Sequence, residues 1–410
     1  MPALLTERLA PALTRLSENL YLSAIRAGMV AVVPLTIVGG VFMIVAYLPL
    51  AGWDARVAPY LPVLQAPVTA TFGLLGVVAC FSIAAELGKL LKQDPIVSAS
   101  IATVVFFMLQ VDLTDQTFRM DGLGSKGLFT AMLIAIVSVH VQKFFTDRNL
   151  VIKLPDSVPP VVYESFLSLT PLFFLVLIFW ALRFAAGVDI DGIVQTVFKP
   201  LVFALNTLPG ILMYAFLVTM LWSVGINGDN AVDAVVAPIF LQYLAANVEA
   251  VGAGQPLPYV TAYGFFTTFV NVGGTGATIA LALVLWRSKD PGFRRISRLS
   301  MSTQIFQINE PIFFGLPIVL NPVFMVPYVL NALLLTTISY LLMQWNVIHK
   351  PFVNVPWTTP PVIGHYLVSG GDWRAAIWGG VSIVLAAIVY VPFARAAERQ
   401  RLKAVPHVAS

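Results

Sequence analysis

Residues 309–327 read NEPIFFGLPIVLNPVFMVP, an apolar stretch broken by Asn309, Glu310, Asn321 and four prolines. Proline removes a backbone donor and disfavours helical geometry in the residue before it, so no simple spanning helix carries this segment. The chain around it is nevertheless built for lipid. Of its 410 residues 58% are hydrophobic and 11% charged, against about 25% charged in soluble domains, and the mean hydropathy is +0.86. Lipid offers an open backbone no hydrogen bonds, so interrupted chain at membrane depth survives only where protein buries it or it lines a wet cavity. The stretch therefore predicts a polar site enclosed by an all-α integral membrane protein.

Upstream of it the apolar runs are cleaner. They predict crossings at about 29–50, 68–87, 96–111, 127–141 and 166–186, and at about 20 apolar residues per crossing the whole chain has material for about eight to ten. Alternating these from a cytoplasmic N-terminus puts Arg8, Arg15, Lys89, Lys92, Lys143, Arg148 and Lys153 inside and only Arg56, Arg119 and Lys126 outside, as the positive-inside rule requires. The basic loop WRSKDPGFRRISRLS (286–300) and the tail ARAAERQRLK (394–403) are then expected on the cytoplasmic side too, which gives an even number of crossings and cytoplasmic termini. The N-terminal residues show no short apolar core followed by a small-residue cleavage site and read as an amphipathic lead-in.

Beyond residue 187 the interruptions recur, as GINGDN (225–230), NVGGTG (271–276), the 309–322 segment and VPWTTPP (355–361). This divides the chain into a scaffold and dimerisation region at 1–190, a substrate-binding transport region at 191–395 and a tail at 396–410. The net charge of +4 sits in loops and tails and implies no nucleic-acid partner. Cys80 lies within an apolar run and reads as a small hydrophobe. His140, His349, His365 and His407 are scattered without metal-ligand spacing, and no nucleophile elbow or paired-cysteine motif is present. Neither a metal, nor a cofactor, nor a self-sufficient enzyme is expected.

Glu310 is the first candidate, because a carboxylate between membrane segments is costly and is by default a functional group. The alternative is a buried acid satisfied by backbone donors or an arginine. Pro311 is expected to hold Glu310 out of helical geometry at a break, with Asn309 adding donor and acceptor capacity. Asn227, Asp229 and Asn230 offer the planar polar groups that read hydroxyls; alternatively they form a turn that caps a helix beginning near Ala231. Asn271 and Gly273 lie in a loop-to-helix junction whose N–H groups can receive a ligand, or whose small residues serve close packing. Trp357 can stack on a sugar face, with Thr358 and Thr359 bonding its hydroxyls, or it can be an interfacial anchor.

The string at 309–327 closely resembles the most characteristic segment of the enzyme IIC subunits of the bacterial lactose/cellobiose/diacetylchitobiose phosphotransferase family. The resemblance extends through LGSKGLFTAMLIAIV (123–137), SVPPVVYESFLSLTP (157–171), GINGDNAVDAVVAPIF (225–240) and VPWTTPPVIGHYLVSGGDWRAAI (355–377). It implies a homodimer in the bacterial inner membrane, with about ten transmembrane helices, two re-entrant hairpins, an N-terminal interface domain and a C-terminal transport domain. It further implies that Glu310 contacts the sugar hydroxyl to be phosphorylated, that Asn309 helps hold the sugar, and that a separate IIB protein, itself charged through IIA, brings the phosphoryl group on a cysteine. Where the family usually shows Gly-Ile-His-Gly, this chain has Asn227 in the histidine's place, which keeps hydrogen bonding but loses titration near neutrality. Two other readings stay open on the residues alone. One is an ion-coupled secondary transporter using Glu310 or Asp229 as its proton or cation site; the other is a structural or sensory membrane protein without transport.

Overall fold

The structure, a computed structural model, describes residues 19–48, 50, 52–150, 160–316 and 318–404, with no side chains described at 160–167 and 404. Arg8, Arg15, Lys153 and the end of the tail lie outside the described residues. Among the described residues the regular structure is helical, apart from a small hairpin in which Val111–Asp112 pairs antiparallel with Thr117–Phe118.

The first half is a set of close-packed helices: α1 (Leu20–Val30), α2 (Val33–Ala46), α3 (Leu61–Phe72), α4 (Leu75–Leu90), α5 (Pro95–Leu109), α6 (Leu128–Asp147) and α7 (Pro160–Trp180). Small residues set the spacing. A Cβ on Gly28 of α1 would lie 2.5 Å from Ile83 of α4, so the two backbones meet at a distance only glycine allows. Cys80 is fully buried beside this contact, and Ser98 of α5 donates to Gln142 of α6 at 2.7 Å.

The second half contains α8 (Ile190–Leu205), α9 (Leu208–Ser223), α10 (Gly228–Gly252), α11 (Thr278–Leu285), α12 (Pro291–Gln304), α13 (Glu310–Gly315), α14 (Pro322–Gln344), α15 (Pro361–Val368) and α16 (Trp373–Ala404). Among the described residues seven helical units are long and apolar enough to cross a membrane, or eight if α8 and α9, which meet at 84°, count as one. The first begins at Leu20, nine residues before the expected 29, because Asn19 caps it by accepting from the N–H groups of Tyr21 and Leu22. The second extends over Trp53–Leu90 rather than 68–87. The expected third crossing is the 15-residue α5, short of the roughly 20 residues of a full span. The fourth and fifth fall at Ser125–Asp147 and Ser168–Ala185, near their expected places.

Side-chain amides satisfy the interrupted backbone of the second half. Asn247 donates to the carbonyls of Tyr259 and Pro351, both at 2.7 Å, and accepts from the N–H of Tyr259 at 3.0 Å. At the α8–α9 corner Asn206 Oδ1 accepts from the N–H groups of Val260 (3.0 Å) and Thr261 (3.3 Å), while its carbonyl accepts from Tyr340 at 2.9 Å. Asn354 reaches across to Thr36 of α2 at 2.7 Å.

The basic loop and the basic end of α16 are neighbours in space. Glu398 accepts from Ser288 at 2.5 Å and from the backbone N–H of Lys289, and Arg401 pairs with Asp290 at 3.1 Å. The two charge clusters therefore share one end of the molecule, as the charge distribution expects. At the start of α16 burial pushes the Asp372 carboxyl up, but donation from Arg374 and from the N–H of His349 outweighs it and holds the group below its ordinary value.

Candidate functional site

The four interrupted segments are tied one to the next by hydrogen bonds, and Asp229 joins the first two. It stands in the first turn of α10, and three side chains donate to it: Trp222 of α9 at 2.8 Å, Thr275 at 3.0 Å and Asn271 at 3.4 Å. Asn227 caps the same helix, accepting from the N–H of Asn230 at 2.9 Å. The helix thus starts at Gly228 and not near Ala231, and the capping alternative describes the Asn227 carbonyl. Asn230 is exposed, and its backbone carbonyl accepts from Arg26 of α1 at 2.7 Å.

The 271–276 loop is folded on itself more than it is open to a ligand. The N–H of Gly274 goes to Asn271 and that of Ala277 to Gly274, both at 3.0 Å. A Cβ on Gly273 would meet Ile279 at 2.2 Å. Gly274 (φ +103) lies under Asn309, where a Cβ would stand 2.4 Å from that side chain, and Gly276 (φ +74) lies 2.2 Å under the Tyr328 ring by the same measure. Both glycines are required twice, by the left-handed backbone and by the approach. Close packing, the alternative expected for this loop, is what these positions do.

The third segment docks on that loop. Asn309 donates to the Thr275 carbonyl at 3.0 Å, and the next residue, Glu310, opens α13. Pro311 was expected to keep Glu310 non-helical. Instead the helix includes Glu310, because Pro311 falls in the first turn, where a missing N–H leaves no bond unmade. Phe313 anchors α13 between Trp222 (ring centroids 5.2 Å apart) and Tyr328 (5.6 Å). Glu310 itself is exposed and, among the described residues, has neither a hydrogen-bond nor an ion-pair partner, so the alternative of a satisfied structural acid does not hold.

Gln307 draws in the fourth segment and is the residue that sequence reasoning missed. Its amide donates to the carbonyls of Thr359 (3.2 Å) and Thr267 (3.4 Å) from a left-handed backbone at φ +65. Nothing in the residue type announces either fact; its place two residues before Asn309 is the only signal. Trp357 is 58% exposed, Thr358 half-buried, and the Thr359 hydroxyl is spent on the Pro356 carbonyl at 2.7 Å.

These residues include a free carboxylate at Glu310, an exposed indole at Trp357 and the exposed Asn230 side chain, while the Asn271 side-chain oxygen Oδ1 is buried without a partner among the described residues. A carboxylate, amides and an indole are group types able to hydrogen-bond and stack on a neutral polyhydroxylated molecule. Two apolar grooves, of about 890 Å³ along α6 and α7 and about 610 Å³ along α9 and α14, lie away from these residues.

Comparison with known proteins identifies the family. The family described as Phosphotransferase system, EIIC matches residues 26–332. The lichenan permease IIC component of Bacillus subtilis (strain 168) is 34% identical over 98% of this chain and 94% of its own length. The cellobiose-specific EIIC component of Geobacillus stearothermophilus is 35% identical over 97% and 94%. The crystal structure of the transporter ChbC, the IIC component from the N,N'-diacetylchitobiose-specific phosphotransferase system, superimposes with a TM-score of 0.91 at 32% identity, covering 97% of this chain and 98% of that one. Fold and sequence lead to one conclusion: the chain belongs to the phosphotransferase system EIIC family.

Proposed function

We propose that this protein is the sugar-translocating IIC subunit of a phosphoenolpyruvate-dependent phosphotransferase system and carries a β-linked disaccharide or related glycoside inward. The observation that carries the reading is the free Glu310 carboxylate, held in one of four interrupted segments that hydrogen bonds tie one to the next. The names of the relatives, which specify lichenan, cellobiose and diacetylchitobiose, support the substrate class. In this reading Glu310 orients the acceptor hydroxyl or takes its proton, while Asn309, Asn227, Asn230, Asn271, Gly273, Trp357 and Thr358 form the sugar's surroundings. The hydroxyl oxygen gains the bond to phosphorus as the sulfur–phosphorus bond of a IIB phosphocysteine breaks, a transfer that depends on positioning and charge stabilisation.

The helices α11 and α15, eight residues each, are too short to cross and support two re-entrant hairpins within a total of about ten transmembrane helices. The chain works as a homodimer in the bacterial inner membrane, with residues 1–190 as interface, 191–395 as transport region and both termini cytoplasmic. The shared end of loop 286–300 and tail faces the cytoplasm, where IIB docks, recharged by IIA. The lactose-specific EIICB component of Streptococcus mutans serotype c, 30% identical over 97% of this chain and 72% of its own length, supports the pairing with a IIB function. Family membership does not favour the ion-coupled alternative.

Uptake into proteoliposomes with cellobiose, lactose and N,N'-diacetylchitobiose tests the proposal. Sugar phosphate is expected inside only when phosphorylated IIB is present on the cytoplasmic side. Uptake of unmodified sugar that stops when an ion gradient is collapsed would overturn it.

A further inference from the structure

Both oxygens of Asp229 are already occupied by the protein. Oδ2 takes the Trp222 indole and the Thr275 hydroxyl, and Oδ1 takes the Asn271 amide. Thr275 in turn offers its backbone carbonyl to Asn309, the residue that precedes Glu310. The same Trp222 that donates to Asp229 also bears on Phe313, in the body of the Glu310 helix. Asp229 therefore reaches the start of α13 by two routes, one through the Thr275 main chain and one through the Trp222 ring. Glu310 has no partner of its own among the described residues, so its place depends on what holds its helix.

From this we infer that Asp229 is a positioning residue, which fixes the 271–276 loop and through it the Asn309–Glu310 start of α13, and is not a sugar contact. The inference rests on the proposed role of Glu310 but makes a separate claim: the effect of Asp229 on the sugar is indirect and passes chiefly through Glu310. It also specifies what the position needs, which is acceptors and not charge. In Asp229→Asn the amide oxygen can take the Trp222 and Thr275 donors. The new amide N–H then faces Asn271, whose side-chain oxygen Oδ1 has no partner among the described residues, and a flip of Asn271 supplies the acceptor. Asp229→Ala removes every acceptor at once.

The test uses the single native cysteine, Cys80, which is fully buried and leaves a surface label to an introduced thiol. In a Glu310→Cys protein the labelling rate with a charged, membrane-impermeant maleimide reports the setting of position 310. An Arg298→Cys protein, on the exposed face of α12, serves as control. Asp229→Ala and the milder Thr275→Val are expected to change the rate at position 310 by about fivefold or more, the scale of a lost hydrogen bond. Asp229→Asn should stay within about twofold of the parent, and no variant should move the control. An unchanged rate at position 310 in both Asp229→Ala and Thr275→Val would overturn the inference, as would Asp229→Asn behaving like Asp229→Ala.

A binding cycle then separates this inference from the reading it rests on. With whichever of the three disaccharides binds the parent, Thr275→Val is expected to weaken binding in the parent and to have a much smaller effect in a Glu310→Gln background. A full effect in that background would refute positioning. Unaltered binding by Glu310→Gln alone would instead refute the role proposed for Glu310.

Discussion

Glu310 and Asn227 differ in what they touch, and their surroundings set opposite expectations for their removal. Glu310 is exposed and has no partner among the described residues, so Glu310→Gln should leave the apparent melting temperature in detergent nearly unchanged, as substitutions away from packed or bonded positions do. Turnover of sugar to sugar phosphate should fall by at least about a hundredfold, the lower range for loss of an acid–base group. Asn227 has a structural duty as the α10 cap, worth about 1 kcal/mol, and Asn227→Ala should lose that stability. Its amide does not titrate near neutrality. Sugar affinity of the parent is therefore expected to be independent of this position between about pH 5.5 and 8, whereas Asn227→His should introduce a dependence with a midpoint near 6.5, seen by titrating sugar at several pH values.

At the scale of elements, the glycines of the 271–276 loop decide whether the site assembles. Gly276 and Gly52 have nearly the same backbone, φ +74 and φ +75, but a Cβ on Gly276 would stand 2.2 Å from Tyr328 while one on Gly52 meets nothing within 4 Å. Gly52→Ala should cost only the left-handed strain, about 1 kcal/mol. Gly276→Ala should add an overpacking cost of about 1–3 kcal/mol, and the difference between their melting temperatures isolates the packing term. The presence of interruptions at 225, 271, 309 and 355 was legible in the sequence, because lipid makes any break in an apolar run conspicuous. Their linkage was not, since it depends on bonds such as Thr275–Asp229 and Gln307–Thr359 between residues far apart in the chain. Helix boundaries were legible only coarsely. Asn19 and Asn227 move two starts towards the N-terminus by capping, and Asn caps look like any other polar residue until the helix behind them is known.

For the whole molecule, what holds the pieces together is a small number of polar ties across an apolar interior. Asp372 is one of them, binding the N–H of His349 and the side chain of Arg374. Its folded carboxyl is held below its ordinary value, so its contribution is complete above the unfolded carboxylate range, about pH 4, and is lost as the pH falls through the lower folded value. Asp372→Asn should therefore be less stable than the parent at neutral pH, with the gap closing in acid below about pH 4; melting curves from pH 3 to 7 check this. The corner between α8 and α9 is another tie, and it has a mechanical meaning. Asn206 grips Val260 and Thr261 while Tyr340 grips Asn206, so the right-angled bend is braced like a gusset. Opening the angle would break these bonds, so torque on either arm is shared with the 259–261 stretch of chain.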